Sequence, residues 1–453
     1  MGRDQTVNHT IFEPDRRTPV LGEYEVVVLG GGPAGIAAAA AAGRTGRSTL
    51  LIERYGFLGG SGTMAGVANF CGLHANVHGE FKQVVHGLAD EILERLQHKD
   101  AVNPPHLSLQ GKIQAQTYDA SAYKIVADEL LLASGVKMLF HAFGVGMLKR
   151  AERAIDAVLI ESKSGRAAVR GGIFIDCSGD ADLAAWAGVP FELGDGHGNT
   201  LYPSSKFTMN DVDAAKAVHA RRIIPELMEA AERQGRRFPR RGAIVRPQKF
   251  GQDWTANATL IKNPDGSAVS GIDVEQLSYG EIEGRRQCLE MFQFIRGSAP
   301  GFENAYIVDI APQIGIRETR RVVGEYMLSE ADILECASFE DAIGVNGWPV
   351  EAHAADRVII KFPKIPESRG FNHLPYRMLV PKAMDNLLVA GRCASMTHDG
   401  QASARVSGPC FAMGQAAGTA AHVALEQGVP PRSINVGALQ QRLEADGAYL
   451  GKA

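Results

Sequence analysis

The chain has 453 residues, with 47 Lys and Arg against 51 Asp and Glu, a formal charge of -4, 45% hydrophobic and 22% charged residues. This is the profile of a globular protein of about three domain-equivalents, and its charge gives no reason to expect a nucleic-acid partner. Six cysteines (Cys71, Cys177, Cys288, Cys336, Cys393, Cys410) contain no C-x-x-C pair, which argues against a zinc ribbon, an iron–sulfur cluster or a dithiol relay. No metal site is expected. Scattered thiols without a secretion signal fit a reducing compartment, with the cytoplasm as the default location. No stretch reaches the ~18 uninterrupted apolar residues of a membrane span, so no transmembrane segment is expected.

Residues 1–22 are polar, carry two prolines and read as an arm. Val26 to Leu29 is a short apolar run that gives way to glycines and then to an alanine-rich helix. Thr49 to Ile52 is a second strand, ending on Glu53. Val84, Val85, Leu88, Ile92, Leu93 and Leu96 fall near helical spacing and predict a helix over 80–97. Residues 119–133 predict another helix, closed by Gly135 and followed by a strand at 136–140. Strands are also expected at 158–160 and 172–176.

The middle, about 191–371, alternates polar strands (254–261 and 305–310) with charged helices. Ser278 with Glu281 reads as a capping box opening a helix to about Arg296, and Ser329 with Asp332 as a similar start. The run 386–391 returns to a buried parallel-strand pattern, and a Gly/Ala helix over about 409–426 reads as closely packed. The expected division is an arm at 1–22, a nucleotide-binding domain in two parts, 23–190 and 372–453, and a second domain at 191–371 inserted between them.

Gly30, Gly32 and Gly35 stand at the spacing G-x-G-x-x-G between strand and helix. The first glycine permits a sharp turn, the second lets backbone N–H groups approach a pyrophosphate, and the third lets the helix lie close to the strand. Glu53 falls 18 residues after Gly35, where an acid can accept hydrogen bonds from a ribose hydroxyl. Three further features suggest a longer dinucleotide. A glycine-dense loop (54–63) follows Glu53. Cys177-Ser178-Gly179-Asp180 stands at a strand end, and Ser407-Gly408-Pro409 stands where a helix begins.

These segments together resemble the FAD-dependent oxidoreductases of the glutathione-reductase-like superfamily, in particular the subgroup that includes fumarate reductases and thiazole-biosynthesis flavoproteins. The resemblance rests on GGGPAG (30–35), ERYGFLGGSGT (53–63), FIDCSGDADLAAWAG (174–188), IAPQIGIRETRRVVGEY (310–326), NLLVAGRCASMTHDG (386–400) and RVSGPCFAMGQAAGTAA (405–421). It implies an α/β fold: a Rossmann-type, glutathione-reductase-like FAD-binding domain carrying an inserted α+β substrate domain. By the same resemblance, Gly30, Gly32, Pro33, Ala34 and Gly35 hold the pyrophosphate, Glu53 the adenosine ribose, and Arg54 lies near the adenine. Gly60, Ser61 and Thr63 line the inner part of FAD, and Val145 supplies backbone contacts to adenine. Ser178, Gly179 and Asp180 lie where the chain crosses back over the cofactor. Gly391 and Arg392 flank the flavin side, with Arg405, Gly408 and Cys410 near the ring. Many relatives carry Gly-Asp where this chain has Gly391-Arg392, which leaves the ribityl contacts open and disfavours an aromatic hydroxylase. No histidine in the 53–60 loop matches the residue used for covalent flavin attachment, so FAD is expected to be non-covalent.

Oxidation of an alcohol, amine or activated C–H also needs a proton acceptor. His398, beside Asp399, suits that role, the alternative being an ordinary loop histidine. His74 either lines the pocket or is a packing histidine. Arg317, Arg320, Arg321 and Arg405 either bind a substrate carboxylate or join the domains as ion pairs. Cys393 and Cys410 read as buried inert thiols rather than as a redox pair. The expected activity is two-electron oxidation of a small organic substrate at the domain interface. The alternatives are a flavin monooxygenase using NAD(P)H and oxygen, a carbon–carbon double-bond reductase, and a flavin subunit of an electron-transfer complex. Electrons would pass to oxygen, a quinone, NAD(P) or a carrier protein. The oligomeric state stays open, a homo-oligomer included.

Overall fold

Val26, Val27 and Val28 have no exposed surface, and a strand buried on both faces belongs in the middle of a parallel sheet. Each such side chain contributes roughly 1.5–3 kcal/mol when fully buried. The computed structural model describes residues 11–109, 111–355 and 357–452. In it the strand Val20–Leu29 lies between Thr49–Ile52 and Gly165–Asp176, parallel to both. Lys137–Leu139 continues the sheet beyond Thr49–Ile52. The strand Gly165–Asp176 is 12 residues long and serves two neighbours on its far side. Residues 165–170 pair antiparallel with Ala154–Ser162, which in turn pairs with Phe143–Ala151. Residues 174–176 pair parallel with Leu387–Val389. Segments on both sides of the middle region therefore share one sheet. From the first strand the chain crosses to Thr49–Ile52, while Gly165–Asp176 occupies the opposite side. In such a sheet a crevice opens outside the carboxyl ends of the strands.

The helix Pro33–Arg44 covers the sheet and is itself covered by Ser407–Gln427. Small residues let the two backbones touch: a Cβ on Gly414 would lie 2.1 Å from the carbonyl oxygen of Ala34.

A second, antiparallel sheet runs in the order Ile244–Pro247, Trp254–Asn257, Phe207–Asn210, Tyr306–Ile310. It has its own core, in which Phe207, Met209 and Trp254 from the strands meet Met228 of the helix Ala220–Arg233 and Met291 and Ile295 of the helix Val274–Ser298. A small three-stranded sheet, Asn69–Cys71, Ile113–Thr117 and His106–Ser108, stands between the two larger ones. No helix among the described residues is long and apolar enough to cross a membrane.

Several sequence expectations need correction. Residues 80–97 are not one helix: Glu80–Gln83 pairs with His74–Val77, and the helix is Leu88–His98. Gly87, at φ +74°, breaks the chain between them, so Val84 and Val85 are buried without being helical. The helix expected from Ser278 begins at Val274, because Asp273 caps it by accepting from the Gln276 N–H at 2.9 Å. Ser278 instead donates to the Val274 carbonyl within the helix at 2.7 Å, and Glu281 accepts from the Ile314 N–H at 2.8 Å. Ser329 and Asp332 do form a capping box, at the head of Glu330–Leu334. The middle strands are shorter than expected, Trp254–Asn257 and Tyr306–Ile310. The arm loses residues 20–22 to the first strand, and its first ten residues lie outside the described ones.

Candidate active site

The first strand ends in the glycine turn at the mouth of the crevice. Gly30 has φ +101°, and a Cβ there would come 2.4 Å from the Cys177 carbonyl oxygen, so no other residue fits this turn. Gly32 differs: a Cβ added to it would meet only Gly60, at 3.8 Å, and would otherwise project into open space. That space is a cavity of about 1390 Å³ including its open mouth. Its lining runs from Glu53 and Trp186 past the glycine turn to Phe70 and Cys410, a course that suits an extended ligand. Pro33 occupies the first position of the following helix, whose first-turn N–H groups lack intrahelical partners and favour a phosphate.

One end of the cavity is bounded by Glu53, Arg54, Tyr55, Phe143, Gly144 and Trp186. Glu53 is buried, and its carboxylate accepts from the N–H groups of Gly31 at 2.6 Å and Tyr55 at 3.0 Å. It thus ties the glycine turn to the end of the second strand. Burial raises its pKa, opposed by these two bonds. Carboxylate lone pairs remain for a ligand hydroxyl. At the other end lie Asn69, Phe70, Tyr118, Arg405 and Cys410. Ser407, at the head of the helix Ser407–Gln427, accepts from the Cys71 N–H at 2.9 Å and donates to the Cys71 carbonyl at 3.2 Å. These bonds fix the helix head against the strand Asn69–Cys71.

Of the residues expected at the cofactor, Gly30, Gly32, Pro33, Ala34, Glu53, Arg54, Gly60 and Ser61 line this cavity, as do Ser178, Gly179, Gly391, Arg392 and Arg405. Gly35, Thr63, Val145, Asp180 and Gly408 do not. Gly35 and Gly408 are packing positions, where a Cβ would strike the carbonyl oxygens of Gly30 and Gly72. Thr63 bonds the Leu58 carbonyl at 2.8 Å. Asp180 accepts from the Arg392 guanidinium at 2.8 Å and from the Thr319 hydroxyl at 2.9 Å, so it positions Arg392 rather than facing the cavity. The cavity runs along Ala142, Phe143 and Gly144 and stops before Val145. Phe70, Tyr118 and Trp186 were missed, since lone aromatics in separate elements carry no motif.

A second cavity, about 1130 Å³ including its open mouth, adjoins the first. Ser61, Asn69, Cys71, Ile316 and Arg405 line both, while the far wall comes from the second sheet through Lys206, Arg246, Thr255 and Asn257. Arg317 donates to the Ser204 hydroxyl at 2.8 Å and to the Tyr202 carbonyl. Arg246 donates to the Thr117 hydroxyl at 2.7 Å. Burial, reinforced by Arg246 and Arg317, pulls Lys206 down to about 7. Glu351, the one carboxylate on this wall, accepts from the Trp348 indole at 3.0 Å and faces His353 at 3.3 Å. His353 is pulled down to about 3, by burial and then by Arg317. Burial likewise lowers His106.

Neither histidine singled out from the sequence lines either cavity. The Nδ1 of His398 lies 3.0 Å from a carboxylate oxygen of the fully buried Glu318, which also pairs with Arg321. Burial lowers the pKa of His398, but the Glu318 hydrogen bond prevails and raises it. His74 is buried, and its Nδ1 has no hydrogen-bond partner among the described residues. Burial pulls it down to about 4. Arg320 and Arg321 are spent on Asp182 and Glu318. Cys393 and Cys410 are free, and burial raises both thiols, Cys410 to about 12.

The strand order, the glycine turn and the long cavity define a dinucleotide-binding α/β enzyme, with a second sheet and core beside the cavity's inner end. The family model described as FAD dependent oxidoreductase matches residues 25–443. The chain belongs to that family, and FAD is its cofactor. Solved structures similar to it include a geranylgeranyl bacteriochlorophyll reductase-like protein from Thermoplasma acidophilum, 14% identical over 94% of this chain and 83% of that one, TM-score 0.48. Others are p-nitrophenol 4-monooxygenase from Pseudomonas putida DLL-E4, 13% identical over 94% and 81%, TM-score 0.44, and L-proline dehydrogenase from P. horikoshii, 12% identical over 95% and 99%, TM-score 0.41. These similarities do not bear on substrate or reaction. No curated protein matches the chain.

Proposed function

We propose that this FAD-dependent oxidoreductase oxidises a small organic molecule held in the second cavity, with FAD bound non-covalently along the first. The observation that carries the reading is the shared wall: Asn69, Cys71 and Arg405 face both spaces. A substrate in the second would therefore reach the inner end of the first. FAD supplies a two-electron acceptor, and the protein supplies orientation and proton handling. Gly30, Gly32, Pro33 and Ala34 would hold its pyrophosphate and Glu53 its ribose, and Arg405 would orient the substrate at the junction. The proton released on oxidation needs an acceptor on the wall. His106 and Lys206 support that assignment, because both can be neutral near physiological pH. His398 is committed to Glu318, and this reading does not use it as the base.

Anaerobic mixing of the yellow protein with hydroxy acids, amines, sugars and aromatics tests the reading. Bleaching of the flavin band by one class without NAD(P)H is the expected result. Bleaching only by NAD(P)H, followed by oxygen-dependent hydroxylation, would replace it with the monooxygenase reading.

A further inference from the structure

The second cavity presents four cationic side chains, Lys206, Arg246, Arg317 and Arg405, against the single carboxylate of Glu351. None of the four makes an ion pair with a carboxylate among the described residues. Arg246 bonds the Thr117 hydroxyl and the Val67 carbonyl, and Arg317 bonds the Ser204 hydroxyl and the Tyr202 carbonyl. Among the described residues the Arg405 guanidinium reaches only the Glu351 carbonyl, at 3.5 Å, and its buried Nε has no partner. The Lys206 ammonium has no hydrogen-bond partner among them. All four are half-buried along one open cavity, where like charges without a carboxylate partner repel one another and leave a surface complementary to an anion. The cluster therefore points to an anion that arrives from outside.

The components come from elements far apart in sequence. Lys206 precedes the strand Phe207–Asn210, Arg246 lies on Ile244–Pro247, Arg317 on the segment before Arg320, and Arg405 between the helices His398–Ala404 and Ser407–Gln427. No local ion-pair scheme on one helix or hairpin explains their convergence. Arginine forks match carboxylate geometry, and an apolar stretch of the same wall (Ala65, Ile113, Ala115, Ile244) can receive a carbon skeleton.

We infer that the second cavity binds an anionic substrate of the carboxylic-acid class, its carboxylate held by Lys206, Arg246, Arg317 and Arg405. This deepens the reading above and rests on it for the adjacent flavin. One consequence concerns protons. The groups facing Lys206 are Arg246 and Arg317, which lower its pKa, and Cys71 and Glu351, which raise it. His106, His353 and Arg405 share the wall. An arriving anion favours the charged amine, so Lys206 takes up a proton on binding when the pH is at or above about 7. Lys206 is then committed to the ligand, and His106 remains as the proton acceptor.

The test uses the FAD-loaded full chain in isothermal titration calorimetry with succinate, citrate and benzoate, against succinamide and benzamide. Flavin content is read first from visible absorbance, so loss of FAD and loss of anion binding are separate results. At least one carboxylate should bind and its amide should not. Lys206→Met and Arg246→Met should each weaken binding at least tenfold at unchanged flavin content. Lys206→Met should also raise the thermal midpoint of the unliganded protein, because folding of the wild type lowers the Lys206 pKa from its usual value to about 7, a cost methionine does not carry. At pH 8, buffers of different ionisation heat should reveal proton uptake in the wild type and none in Lys206→Arg, which keeps its charge and its binding. Equal binding of acid and amide, no binding by any carboxylate, or unaltered affinity in Lys206→Met would each overturn the proposal.

Discussion

The two cavities meet at Arg405, yet their walls are built on different electrostatic plans. The cofactor cavity is lined by glycines, apolar and aromatic side chains, and several of its charged groups are engaged within the protein: Glu53 holds two backbone N–H groups, Arg392 pairs with Asp180 and Asp182 with Arg320. The second cavity is lined by side chains whose charges lack partners. A wall of backbone recognises what every member of a cofactor class shares, a pyrophosphate and a sugar. A wall of side chains can be rewritten residue by residue for one substrate.

The contrast can be broken by substitutions on the cofactor side, on the histidine network and in pH. The largest effect is expected from Gly32→Val. Its side chain would enter the cavity where only Gly60 lies nearby, so the flavin-to-protein ratio should fall at least tenfold while the far-ultraviolet dichroism stays that of the wild type. An unchanged ratio would remove the pyrophosphate from this turn. Glu318→Ala should come next, on stability rather than cofactor. It removes the fully buried carboxylate that pairs with Arg321 and leaves the half-exposed Glu192, at 3.3 Å, as its remaining acid partner, at about 3 kcal/mol, read by urea denaturation. Glu53→Ala should loosen FAD more than His398→Ala does. It frees two backbone donors at the turn, each worth about 1–3 kcal/mol when left unsatisfied, and dialysis followed by absorbance reads the ranking. The reverse order would exchange the roles of the two residues.

The smallest effect is a pH dependence. The hydrogen bond that His398 donates to the Glu318 carboxylate outweighs burial and raises the folded-state pKa of His398. Its stabilising contribution is therefore fully present below the unfolded value of about 6.5 and is lost as pH rises through the folded one. The thermal midpoint should decline over that interval in the wild type and lose this component in His398→Gln. An identical profile in both proteins would dissociate His398 from the network.

Much of the cofactor cavity was legible beforehand because its parts are local. The residues Gly30, Gly32, Pro33 and Glu53 stand in one strand–turn–helix–strand unit, where spacing along the chain is spacing in the fold. The failures were local too, but ambiguous. Val84 and Val85 satisfy a helical period and are buried outside a helix. Ser278 and Glu281 fit a capping pattern one turn inside a helix that Asp273 already caps. The adjacency of His398 and Asp399 suggested a base, whereas its partner is Glu318, 80 residues away.

By itself, the sequence determined the α/β class, the dinucleotide turn and the participation of both ends of the chain in one sheet, because period, glycine spacing and buried apolar runs are properties of neighbouring residues. Tertiary structure alone decided where the second cavity lies and what lines it. Lys206, Arg246, Arg317 and Arg405 come from four separate elements, and no pattern along the chain shows that four cations lacking carboxylate partners face one another. Their meaning lies in their convergence on one cavity, which arises only when the second sheet meets the first.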